Sequence, residues 1–151
     1  MKKIALAGLL ALTVGAASAA EIGVQGLRDY SQTPDRNGFG VTLGQKFDKV
    51  GVTAGFERFT KNNNDLDRYT LTAGYDIAKF GDFTVTPKVG VAYLNPQTTS
   101  SGWAGTVGVG VSYAINKTVA LTADYRYQSA IQSRVDNFNG NNASVGVKVS
   151  F

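Results

Sequence analysis

Asp124 and Arg126 stand two residues apart in a stretch of alternating apolar and polar side chains, so both project from one side of an extended strand. Glu57, Arg68, Asp76, Lys88 and Lys148 hold the same side of other alternating stretches, as do Asp29 and Lys46, with Glu21 at one end. Five of these ten are acidic and five basic. Carboxylates and cations crowded on one face can pair, hold a metal or move protons. Histidine and cysteine are both absent, so neither a Ser-His-acid arrangement nor a thiolate metal site can be built. A carboxylate base remains open in principle, but paired charges are explained more simply by an ion network. Buried charges persist only when paired and hydrogen-bonded. Salt bridges are therefore expected among Glu57, Lys88, Asp124 and Arg126, which fall toward mid-height of their strands or above.

The elements that must position these groups are strands. Alternation and turn signals place them near 21–30, 38–47, 50–59, 68–78, 82–94, 103–114, 118–128 and 142–151. The last is unbroken, with Ala143, Val145, Val147, Val149 and Phe151 on one side and Ser144, Gly146, Lys148 and Ser150 on the other. Connections alternate between long and short, the longest running from Ser129 to Asn141 and the tightest being Asp48-Lys49. That rhythm fits a transmembrane β-barrel with long outer loops and short periplasmic turns. Aromatics gather at strand ends, with Phe47, Phe83, Tyr113 and Phe151 low and Phe39, Tyr69, Tyr93, Trp103 and Tyr127 high. Two interfacial girdles would look like this. The opposite face is small and polar, as in Ala104, Thr106, Gly108, Gly110 and Ser112. Only 17% of the chain is charged, against about 25% in soluble domains. A water-facing surface would carry more charge, so the small face is assigned to a narrow lumen. Pro87 cannot donate to the ladder and points to a bulge in the fifth strand.

The amino-terminal segment supplies an address. Met1-Lys2-Lys3, the apolar run Ile4–Val14 and Ala17-Ser18-Ala19 read as a secretory signal peptide over 1–19, with 20–151 forming one barrel domain. Cleavage after Ala20 is an equivalent alternative. Loss of Lys2 and Lys3 lowers the formal charge from +4 to +2, too small to point to nucleic acid.

In architecture, in the repeats Val89-Gly90-Val91-Ala92-Tyr93 and Val109-Gly110-Val111-Ser112-Tyr113, and in the closing Val147-Lys148-Val149-Ser150-Phe151, the chain resembles the OmpA/OmpX family of eight-stranded outer-membrane barrels, opacity-type antigens included. The resemblance implies an integral protein of a Gram-negative outer membrane, monomeric and without a cofactor, surrounded by lipid and lipopolysaccharide. It also implies a terminal signal for the barrel-assembly machinery at Val147, Val149 and Phe151. Adhesion or binding of a host factor through four outer loops is the leading role. A narrow channel gated by a lumen salt-bridge network is the alternative, and the network would comprise Glu57, Lys88, Asp124, Arg126, Lys148, Arg68 and Asp76. Small outer-membrane enzymes of this kind resemble one another in using histidine, which this chain lacks, so no enzyme is expected.

Arg28 and Arg58 have lipid-facing parity near upper strand ends, where a guanidinium could grip lipopolysaccharide phosphates or simply snorkel. Arg36, Lys61 and Arg134 fall in the expected outer loops as further cations. The runs Asn62–Asp67 and Asp136–Asn142 resemble fragments of calcium loops but lack the bidentate Glu, so no metal is expected. Gly105–Gly110 lies inside a strand rather than opening a helix and is no nucleotide fingerprint.

Overall fold

The computed structural model describes residues 19–31, 35–61 and 65–151. The signal peptide expected over 1–19 lies outside these residues apart from Ala19, and Asn62–Asn64 of the first Asn-rich run lie outside them too. Strands are β1 (Ala19–Asp29), β2 (Arg36–Phe47), β3 (Val50–Thr60), β4 (Leu66–Tyr75), β5 (Ala78–Phe80), β6 (Phe83–Pro96), β7 (Gly102–Ala114), β8 (Val119–Ala130) and β9 (Gly140–Ser150). A short 3-10 helix, Ser133–Phe138, precedes β9. All pairings are antiparallel; sequence neighbours pair except that β6 takes both β4 and β5 on one side, and β1 also pairs with β9, which closes the sheet. β5 continues β4 after a break, so the barrel has eight staves, as the alternation predicts.

The break explains Pro87. Gly74 pairs with Lys88 and Ala78 with Val85, leaving Tyr75, Asp76 and Ile77 opposite only Thr86 and Pro87. The bulge is thus real but lies in the neighbouring strand, not in the proline's own, which pairs continuously with β7 through Pro87–Val109. One inserted residue spares the ladder a donor that proline cannot supply. The side chain of Asp76 is delivered to the interior there, accepting from the Thr86 hydroxyl at 2.7 Å.

Orientation follows the parity argument. Val24, Val89, Val107 and Val145 are each more than half exposed, whereas the glycines and threonines opposite them line the interior. A soluble barrel would invert this arrangement, so the exposed apolar belt marks the lipid face. Girdle aromatics meet across strands, Tyr93 with Trp103 at 5.2 Å in the upper belt and Phe83 with Tyr113 at 4.8 Å in the lower.

Candidate functional site

The lumen has two storeys of different chemistry. Glu57 and Arg68 face each other across the β3–β4 register and are both fully buried. Arg68 Nε donates to Glu57 Oε2 at 2.5 Å, while Nη1 reaches across the barrel to Asn142 Oδ1 at 2.5 Å and Gln128 Oε1 at 3.0 Å. Arg126 Nη2 donates to both Glu57 oxygens, at 2.6 and 2.9 Å, and Gln25 Nε2 adds a bond of 3.2 Å. Each oxygen of Glu57 is therefore held from more than one side. Such a carboxylate tolerates burial because its donors replace the water it has lost.

Above this cluster the interior turns apolar. Leu27, Phe59, Leu66, Leu94 and Ala104 occupy inward positions near the upper strand ends and are buried. Val135 and Phe138 of the 3-10 segment, which kinks at Val135, descend onto them. Gln128 Nε2 donates to the Phe138 carbonyl at 2.9 Å, tying this apolar layer to the ion cluster below. The Arg68 guanidinium lies 4.6 Å from the Phe59 ring centre.

The lower storey is wet. A cavity of about 120 Å³ is lined by Thr42, Thr53, Thr72, Thr86, Ser112 and Thr122 between glycines. Three ion pairs cross it: Lys46 with Asp76, Lys88 with Asp124, and Lys148 with Glu21 at 3.0 Å. Their lysines stay 27% to 37% exposed, unlike Arg68 above. Lys88 and Asp124 also line a smaller chamber of about 50 Å³ beneath Glu57 and Arg126, so this pair divides the two spaces. Gly110 makes room for it, since a Cβ there would stand 2.4 Å from Asp124 Oδ1.

Of the expected four-residue network, Glu57 meets Arg126 and Lys88 meets Asp124, as two separate pairs. Glu57 is also paired with Arg68, which the four did not include. Arg36 is a correction. It opens β2 rather than lying in a loop, and is buried opposite Asp29 with its guanidinium 5.2 Å from the Phe138 ring centre. Arg28 and Arg58 do project outward at the upper rim, but each is engaged within the chain. Arg58 forks onto Asp67 at 2.7 and 2.9 Å, and Arg28 bonds Asp35 at 3.0 and 3.2 Å. Among the described residues no cluster of acidic side chains could hold a metal ion. Val147, Val149 and Phe151 face outward, and Phe151 exchanges backbone hydrogen bonds with Ala20 at 2.9 and 3.0 Å.

A family model for the outer membrane protein β-barrel domain matches residues 4–151. The chain belongs to that family. Its fold is shared by Neisserial surface protein A (TM-score 0.61, 17% identity, covering 90% of this chain and 98% of that one). Ail, the attachment invasion locus protein of Yersinia pestis, solved with the heparin analogue sucrose octasulfate, is equally similar (TM-score 0.61, 18% identity, 89% and 97% covered). The outer membrane enzyme PagL shares the barrel at a TM-score of 0.52 and 11% identity, covering 88% of this chain and 98% of that one. Comparison with curated protein sequences gives no match. The family places the barrel in an outer membrane; identities this low convey the fold and nothing of the relatives' activities.

Proposed function

We propose that this barrel is a non-catalytic surface protein that stabilises the envelope and presents its outer loops to an external partner, in adhesion or binding of a host factor. The observation that carries this reading is the upper storey. Among the described residues a buried ion cluster and an apolar layer fill the outer mouth, whereas most residues of 131–139 above it are exposed. The loops offer Ile131, Arg134 and Asp136 as exposed side chains. No histidine is available to either storey, which supports the non-catalytic assignment. The terminal strand, with Val147, Val149 and Phe151 outward, would serve recognition by the barrel-assembly machinery. Arg28 and Arg58 would meet lipopolysaccharide phosphates as Arg–Asp pairs rather than as open forks.

The second reading, a narrow ion or small-solute channel, draws support from the lower cavity and its partly exposed Lys88–Asp124 pair. Recordings in planar bilayers separate the two. The surface reading expects negligible current from the intact barrel and loss of cell binding when residues 131–139 are shortened. Steady conductance from the intact protein, with cell binding unaffected by loop shortening, would reverse the order of the two.

A further inference from the structure

The outer end of the lumen is closed by a piece of loop, and the way that piece is fastened differs from everything around it. Of the residues in 131–139 only Val135 and Phe138 are buried; the others are exposed. Hydrogen bonds from the segment to the barrel include the Ile131 amide to the Trp103 carbonyl at 2.9 Å, Gln128 Nε2 to the Phe138 carbonyl at 2.9 Å and the Ala130 amide to Asn139 Oδ1 at 2.5 Å. The Trp103 amide adds another to Gln132 Oε1, at 3.3 Å. Among the described residues no salt bridge binds it to a strand. The barrel wall, by contrast, is held by antiparallel ladders on every side, interrupted only at the break opposite Pro87. Segments with few buried contacts form the low-stability end of a fold and open locally.

What lies beneath the segment lowers the cost of opening further. Asp29 Oδ2 and Asn142 Nδ2 are buried there without a protein hydrogen-bond partner. Such atoms regain solvation when water enters, which offsets part of the loss of apolar contact. Gly102 has no side chain and Val135 fills its place, a Cβ at Gly102 being 3.0 Å from Val135 Cγ1. The contact is a fitted seat, yet a small one.

We infer that residues 131–139 form a removable stopper: the outer barrier of the lumen is the seating of Val135 and Phe138, and it opens by release of the loop. This rests on the surface-protein reading in one respect, that the long loops face outward. It deepens that reading, because a partner that grips the exposed side chains of the loop pulls on the same element that closes the barrel.

The absence of native cysteine makes a direct test available. Thr106→Cys places a thiol on the inner wall just below the apolar layer, beside Gln128 in the register. In oriented proteoliposomes a charged thiol reagent added from the outer side should modify it slowly. With Val135→Ser and Phe138→Ser added, the rate should rise about tenfold or more, since loss of buried apolar contact shifts the opening equilibrium by at least that factor. Replacing 131–139 by a two-residue turn should do the same, and guards against a seat variant that fails to fold. Arg126→Ala with the loop intact should leave the outer rate low. Unchanged rates in both loop variants, on barrels that keep heat-modifiable gel mobility, would overturn the inference; so would an Arg126→Ala rate equal to theirs. Ser112→Cys, lining the lower cavity, reports on the premise. It should react quickly from the inner side in every variant, and rapid reaction from the outer side instead would show that the orientation, not the stopper alone, is wrong.

Discussion

The upper and lower halves of this lumen solve one problem differently. Both place charges inside a narrow tube. Above, Glu57 and Arg68 are cut off from water and Arg126 nearly so, and the two arginines hold both oxygens of the carboxylate. Below, three lysine–carboxylate pairs remain in contact with a cavity. Coulomb attraction and the cost of removing water both grow as the dielectric falls. The upper cluster is therefore held most firmly at its fully buried Glu57–Arg68 pair, and the lower pairs are tunable. Residue type follows position: the buried cations on Glu57 are arginines, whose forked donors suit burial, and the cavity-facing ones are lysines.

The contrast can be broken first at Glu57. Glu57→Ala leaves Arg68 and Arg126 facing each other without their carboxylate and should cost about 3–5 kcal/mol of folding stability. Urea unfolding in detergent, followed by fluorescence of Trp103, the single tryptophan, would measure it. A change below about 1 kcal/mol would mean that water reaches the cluster after all, as at an exposed pair. Leu94→Ala, in the apolar layer above, should lose roughly 2–5 kcal/mol by the same assay.

Two glycines sharpen the comparison at smaller amplitude. At Gly108 a Cβ would stand 2.4 Å from the Tyr125 carbonyl, a backbone atom, whereas at Gly110 it meets the flexible ends of Asp124 and Lys88. Gly108→Ala should therefore destabilise by about 1–3 kcal/mol and Gly110→Ala by less, with thermal gel-shift midpoints ranking the two. The opposite ranking would show that the Lys88–Asp124 pair is held rigidly. The smallest effect is expected at the lower rim, where Lys148→Met should change stability by no more than about 1 kcal/mol. Added salt should shrink even that difference while leaving the Glu57→Ala penalty in place.

The barrel itself was legible because strand alternation, loop rhythm and aromatic placement all pointed one way. The inward set of charges followed from parity alone. Pairing within that set did not, because a partner is fixed by register, and register depends on where a loop begins. Boundaries at 59 and 68 would set Glu57 opposite Thr70; the observed ladder sets it opposite Arg68. Arg36 was missed for the same reason, its strand starting two residues earlier than the pattern of apolar residues indicated. The apolar layer did leave a signal. Leu27, Phe59, Leu66 and Leu94 are large residues on the face that elsewhere carries glycine and threonine. Val135 and Phe138 left none that strand patterning could detect, since they belong to a 3-10 turn within a loop.

The extra residue opposite Pro87 has a consequence for how this molecule can change over generations. It acts as an adapter between two frames: odd-numbered side chains face lipid along β4, and even-numbered ones do so along β5, where Ala78 and Phe80 sit opposite the outward Val85 and Phe83. Removing one residue there would leave two residues opposite Thr86 and Pro87, with Phe80 still paired to outward Phe83 and only the slack around the proline lost. A surplus residue at the periplasmic rim is thus taken up in the bulge, so the sheet can vary in length there without turning inside out.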